Sequence, residues 1–267
     1  MDQNAFIEEI STRITDAEKV RGLFLAGSFG RNAADPFSDV DLIAIAEPKN
    51  FSDVTRDWRS LLESIVPIVF WRERGKDRIL INSITEGWLR CDLYIQPREA
   101  FTGRAQDTVI ALLDRDGLFD ELPASLPPRQ PSVSRVKFLI GEFIRVLGLL
   151  SVVVGREVYV TAAAGAGILR DHLINLLLEA VTIPDRGGAL HLSRLLPPED
   201  MRILEGLTIP GAIRAEAVQA HIEIAQKFFP RARELATQLD LVWPEEFEAS
   251  TKQHLKKHFG SECDVEW

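Results

Sequence analysis

Two cysteines, two methionines and two tyrosines in 267 residues are scarcities that narrow what this chain is. Cys91 and Cys263 are too few for a disulfide framework or a thiolate-rich metal cluster, so a reducing, cytoplasmic location is the expectation. Long apolar runs are scarce as well. The most apolar one, Val146 to Val154, is bracketed by Arg145 and Arg156 and falls short of the roughly 20 residues that a bilayer helix needs, so no membrane is expected as a partner. The first residues, Met1-Asp2-Gln3-Asn4, lack the basic start of a secretory leader. A basic patch is also missing. The chain carries 31 basic and 40 acidic residues, for a net charge of −9. There are 16 basic and 22 acidic residues up to residue 131, and 15 and 18 beyond it, so neither half is cationic. Polynucleotide binding draws most of its affinity from cations on phosphate, so nucleic acid is not an expected partner. An acidic surface favours a cationic small molecule instead.

What the chain does have is concentrated near its start. Gly27-Ser28-Phe29-Gly30-Arg31 is a backbone turn of phosphate size, followed by Ser38-Asp39-Val40-Asp41-Leu42. A short apolar strand, Val20 to Ala26, precedes the turn, and a second one, Val40 to Ala46, follows it. Residues two apart on a strand share a face, so Asp39 and Asp41 point the same way. Two adjacent carboxylates repel unless a cation sits between them, which makes this pair a candidate metal site. The alternative is a polar loop in which Ser38 or Asp39 caps a turn.

Together, Gly27-Ser28-x-Gly30-Arg31 and Ser38-Asp39-x-Asp41 resemble the signature of the DNA polymerase β-like nucleotidyltransferase superfamily. The resemblance implies that the turn holds a nucleoside triphosphate, that Asp39 and Asp41 bind magnesium, and that a third acid on a neighbouring strand completes the site. Asp92 suits that role: Leu89, Cys91, Leu93 and Ile95 alternate to one face, leaving Arg90, Asp92 and Tyr94 on the other. The implied reaction is attack of an acceptor hydroxyl on the α-phosphate, with release of pyrophosphate. Two Mg2+ ions about 3.5–4 Å apart would clamp the attacking and leaving oxygens. Asp39 and Asp41 would bridge them, with Asp92 nearer the acceptor and placed to take its proton. Gly27, Ser28 and Gly30 would line the phosphates, with Arg31 either a further phosphate contact or a solvated loop arginine.

The wider pattern predicts an α/β (α+β) chain in two parts. A helix over residues 4–19, using Phe6, Ile10, Ile14 and Ala17, precedes the first strand, and a helix capped by Asn50 or Ser52 follows the second. Further strands are expected at 67–71, 78–82, 88–95 and 109–113, closing a mixed-sheet nucleotidyltransferase domain over residues 1–122. Pro123, Pro127, Pro128 and Pro131 mark a linker over 123–131. Residues 132–267 lose strand alternation and read as a helical bundle acting as substrate-binding domain, with helices over 133–154, 161–181, 198–206, 213–239 and 245–258. Gly187-Gly188 and Pro197-Pro198 punctuate it.

This plan resembles lincosamide and aminoglycoside nucleotidyltransferases, which implies transfer of AMP from ATP to a hydroxyl of a small, cationic, antibiotic-like acceptor, and hence antibiotic resistance. Two alternatives remain open: a nucleotidyltransferase acting on protein or RNA in a toxin–antitoxin-like system, and a non-catalytic nucleotide sensor. A homodimer is one option for the assembly. On the helical half, Glu142 falls among Phe138, Leu139, Val146 and Leu149 at helical spacing. A carboxylate there either has a raised pKa suited to an acceptor-side base or ligand, or pairs with Arg135 or Arg145.

Overall fold

The computed structural model describes residues 1–14, 18–183 and 192–263 in two compact units, Met1–Leu126 and Pro127–Trp267. Ala17 and the Gly187-Gly188 pair lie outside the described residues.

The first unit is built on a six-stranded mixed sheet: β1 (Gly22–Leu25), β2 (Val40–Ile45), β3 (Ile68–Arg74), β4 (Ile79–Thr85), β5 (Arg90–Gln96) and β6 (Ile110–Asp114). Its order is β3-β4-β5-β2-β1-β6. Only β2 and β5 pair in parallel; the other neighbours are antiparallel. Among the described residues, the α-helices that accompany it are α1 (Gln3–Arg13), the single turn α2 (Gly27–Gly30) and α3 (Phe51–Ile65). The Asp2 side chain accepts from Ala5 N at 2.9 Å and caps α1. The helix described ends at Arg13 rather than reaching residue 19. Asn50 precedes α3 without a side-chain cap, because a 3-10 turn over Pro48–Asn50 leads the chain in.

Helical spacing places Phe51, Val54, Trp58 and Leu62 on the buried side of α3. With Phe6 and Ile10 of α1 they cover one sheet face, packing on Leu23, Leu25, Val40, Leu42, Ala44, Cys91, Leu93 and Ile95. Each fully buried Val, Leu, Ile or Phe among them contributes about 1.5–3 kcal/mol by leaving water. The opposite face is covered by a smaller cluster in which Phe24, Ile43 and Ile45 meet Phe101, Val109 and Leu118. Phe24 and Phe101 stack with ring centroids 4.4 Å apart. Strand alternation puts Asp41 on this second face, beyond Ile43 and Ile45.

The second unit is helical: α4 (Val133–Gly148), α5 (Leu150–Gly155), α6 (Tyr159–Ala180), α7 (Leu192–Leu195), α8 (Pro198–Glu205), α9 (Arg214–Gln238) and α10 (Glu245–Phe259). Ser132 caps α4 by accepting from Arg135 N at 3.4 Å. Val136, Leu139, Ile140, Phe143 and Leu147 of α4 share a core with Leu169, Leu173 and Leu176 of α6 and Phe228 and Phe229 of α9. Phe143 and Phe228 stack face to face at 3.7 Å. The run Val146 to Val154 lies across the join of α4 and α5. Through Leu149, α4 and α5 form an apolar stretch, Val133–Gly155, of 23 residues, long and apolar enough by length and composition to cross a membrane. Its apolar face supplies the core of this unit.

Candidate active site

The site is assembled where β1 turns into β2. Ala26 N donates to Asp41 O at 2.8 Å, so the turn begins beside the second strand. Gly27 adopts φ +58°, a left-handed conformation that glycine takes without strain. A Cβ on Gly27 would lie 2.0 Å from Asp41 Oδ2, so the missing side chain makes room for that carboxylate. Ser28 is buried, and its Oγ has no hydrogen-bond partner among the described residues. An unmet buried hydroxyl is costly unless something supplies a partner. Gly30 serves the protein interior: a Cβ there would meet Thr108 O at 2.5 Å and Leu25 O at 2.9 Å. Its smallness lets the turn pack against the approach to β6, a different service from the phosphate contact expected of it.

The loop leading to β2 is held by its own side chains. Asp35 Oδ1 accepts from Phe37 N at 2.9 Å and from Ser38 Oγ at 3.1 Å. Arg90 then ties the loop to β5, donating to Phe37 O at 2.8 Å and approaching Asp39 Oδ2 at 3.7 Å. Asp39 is thus engaged with a guanidinium.

Asp41 and Asp92 are register partners on the parallel strands β2 and β5, and therefore face the same side. Asn82 of β4 is in turn the register partner of Asp92, and its Nδ2 donates to Asp92 Oδ2 at 2.8 Å. Burial, with the charges of Asp39 and Asp92, pushes the Asp41 carboxyl up to about 6, against the pull of Arg31 and Arg104. Burial also raises Asp92; the Asn82 hydrogen bond opposes that rise, Asp39 adds to it, and Arg90 and Arg74 pull it down. Tyr94 is raised by burial and by both acids. Cys91 is buried on the opposite face.

Oxygen donors, mutual repulsion and the cradle at Gly27 fit a hard divalent cation such as magnesium. Their present arrangement is looser than the sequence suggests. Among the described residues, no group of three or more His, Cys, Asp or Glu side chains is gathered tightly enough to hold a metal ion. Asp41 and Asp92 stand together, Asp39 leans on Arg90, and one Asp92 oxygen is taken by Asn82. Arg31 acts on Asp41 through its charge.

Glu142 is on α4 of the second unit. Arg145 Nε and Nη2 grip both its oxygens at 2.8–3.1 Å, and this hydrogen bonding lowers its pKa. Of the two alternatives, a raised pKa or a pair with Arg135 or Arg145, the structure has the pair with Arg145; Phe138 and Leu149 beside Glu142 are exposed, so the residue sits at the solvent edge of the stripe.

Sequence reasoning missed Asn82, Arg74 and Arg104. Arg74 was overlooked because β3 runs three residues beyond the expected Trp71, through Arg72-Glu73-Arg74, an exposed polar run with no apolar alternation to signal a strand. Asn82 looked like a strand end, and Arg104 sits in a loop with no pattern. A cavity of about 290 Å³ on the helix-covered face, lined by Val20, Leu23, Val54 and Trp58 among others, holds none of the motif's acids.

No family model and no curated protein sequence matches the chain. Among solved structures, it resembles an aminoglycoside 6-adenyltransferase from Bacillus subtilis, with 13% identity over 98% of this chain and 100% of that one, at a TM-score of 0.45. It also resembles a nucleotidyltransferase-like protein from Exiguobacterium sibiricum, with 14% identity over 96% and 89% and a TM-score of 0.38. A third likeness is to a CCA-adding enzyme in complex with CTP, 12% identical over 96% and 71%, at 0.36.

Proposed function

We propose that the chain is a nucleotidyltransferase that moves a nucleoside monophosphate, AMP from ATP, onto a hydroxyl of a small, cationic, antibiotic-like acceptor. The observation that carries this reading is the pairing of Asp41 with Asp92 across parallel strands, beside a glycine turn whose missing Cβ opens onto Asp41. In the reaction, the acceptor oxygen bonds to the α-phosphorus, the bridging P–O bond breaks, and pyrophosphate leaves with that electron pair. The acceptor's proton passes to a carboxylate and then to solvent. Asp92, whose pKa is raised, suits that transfer.

Asp41 and Asp92 would hold magnesium, joined by Asp39 once it leaves Arg90, an exposed contact that costs little to break. Bound there, magnesium would neutralise phosphate charge and lower the pKa of the acceptor hydroxyl. The turn at Gly27 and Ser28 would receive the terminal phosphates, Ser28 by turning its unmet hydroxyl outward. Arg31 and Arg104, whose charges already act on Asp41, would counter the triphosphate. Magnesium dependence, action in the cytoplasm, a role in antibiotic resistance, and independence from nucleic acid and membrane belong to the same reading. The acidic balance of −9 supports the cationic acceptor.

The test is pyrophosphate release with ATP, GTP, CTP or UTP against aminoglycosides and lincosamides, with and without chelator. Magnesium-dependent release that requires one such acceptor is the expected result. Release only with a polynucleotide or protein acceptor would overturn the substrate assignment.

A further inference from the structure

One row of residues runs across four strands on the face that carries the acids. Arg72 of β3 is the register partner of Asn82 of β4, Asn82 of Asp92 of β5, and Asp92 of Asp41 of β2. Asn82 is held from both ends. Its Oδ1 accepts from Arg74 Nη2 at 2.8 Å, with Arg72 Nη2 at 3.4 Å, and its Nδ2 donates to Asp92 Oδ2 at 2.8 Å. An amide flipped by half a turn would put its oxygen against the carboxylate and its NH2 against the guanidinium, so only one orientation satisfies both neighbours. An asparagine in mid-strand is poorly suited to a sheet on propensity alone. Here it ties down one oxygen of Asp92 and leaves Oδ1 with no hydrogen-bond partner among the described residues.

We infer that Asn82, oriented by Arg74, is a positioning residue that fixes the Asp92 carboxylate so that its second oxygen stays available beside Asp41. This rests on the nucleotidyltransferase reading for its kinetic consequence, but not for its structural one. Arg74 uses a single N–H on Asn82, so its remaining donors stay available for an anion while it orients the amide. Groups that orient a ligating carboxylate in this way matter almost as much as the ligand itself.

The experiment compares the full chain with Asn82→Leu, which keeps the bulk and removes the amide, and with Asn82→Gln, which keeps the donor on a longer arm. Three readouts are taken: the Asp92 conformer in a crystal structure, Mn2+ affinity by calorimetry without nucleotide, and kcat and KM for transfer. Asn82→Leu should release Asp92 from its conformer and weaken Mn2+ binding and kcat by roughly 10–100-fold. The nucleotide KM should stay within about twofold, a split that general loosening of the sheet would not give. Asn82→Gln should recover part of the loss. Should Asn82→Leu fail to fold, Asn82→Ser, polar but too short to reach Asp92, takes its place with the same readouts. An unmoved Asp92 with unchanged Mn2+ affinity overturns the inference. If Asp41→Asn abolishes Mn2+ binding and transfer while Asn82→Leu leaves both intact, the positioning role alone fails. A wild-type chain that binds Mn2+ but transfers no nucleotide overturns the transferase reading, and Asn82 is then judged on Asp92 and Mn2+. A wild-type chain that binds no Mn2+ and transfers nothing overturns both.

Discussion

Gly27 stands directly against Asp41: the Cβ it lacks would lie 2.0 Å from Oδ2. Two needs meet at that glycine, a left-handed backbone at φ +58° and room for a carboxylate. Gly27→Ala should therefore cost about 1–2 kcal/mol from the backbone alone, plus whatever displacing Asp41 adds. Thermal melts should show the loss, and magnesium-dependent transfer should fall far more than stability does. Normal activity from a folded Gly27→Ala protein would show that the close approach is dispensable.

Asp41 gives a pH prediction whose sign is fixed by its raised pKa. The carboxyl moves from an ordinary 3.8 to about 6 in the folded protein. Its contribution to stability is therefore full below pH 3.8 and is lost as pH rises through about 6. Discounted for solvent screening, the loss is on the order of 1–2 kcal/mol. In chelator, Asp41→Asn should be the more stable protein above pH 6 and should lack this part of the wild-type decline between pH 4 and 6. Magnesium should stabilise the wild type and not the variant. Urea unfolding at several pH values, with and without magnesium, reads both differences, and identical curves for the two proteins would contradict the assignment.

Ser28→Ala separates folding from binding. Its hydroxyl is buried without a partner among the described residues, so deletion should leave the melting temperature of the free protein unchanged or higher. Triphosphate affinity should drop by the equivalent of one charge-assisted hydrogen bond, about 1.5–3 kcal/mol. Calorimetry with a non-hydrolysable analogue measures it, and equal affinity would remove Ser28 from the phosphate site.

Glu142→Gln bears on the helical unit. Because Arg145 keeps Glu142 ionised and lowers its pKa, the residue is poorly set as a base. The expected outcome is an unchanged pH profile of kcat and unchanged triphosphate affinity. If Glu142 binds an acceptor amine, the change should appear as a raised acceptor KM alone.

The local parts of the site were legible in the sequence because they are set by neighbours in the chain. The glycine turn follows from residue types, and the shared face of alternate strand residues from the period of two. The α/β sheet and the helical region after it were readable for the same reason, since hydrophobic periodicity switches from two to 3.6. Long-range pairing could not be read from periodicity. That Asp92 joins Asp41 was expected only through the family resemblance, because the pairing of β2 with β5 is a choice among strands far apart in the chain. The engagement of Asp39 by Arg90 and of Asp92 by Asn82 depends on that same choice of neighbours. Glu142 shows a different limit. Its partner three residues on was visible, but its place at the stripe's exposed edge depends on which helices pack beside α4.

The single parallel pairing of the sheet has a consequence for how the protein reaches its native state. β3, β4 and β5 form a meander joined by short turns, and β1 and β2 are themselves antiparallel neighbours. Each block closes through comparatively local contacts, whereas β2 meets β5 only after α3 and the intervening hairpin have been gathered in. Closing that long loop is entropically expensive, as is bringing β6 back to β1, and both are slow topological steps. Asp41 and Asp92, on opposite sides of that seam, become neighbours only when the two blocks dock. Chains in which both blocks have formed but not yet joined would display most of their β structure and no paired acids, so acquisition of the site trails acquisition of the strands.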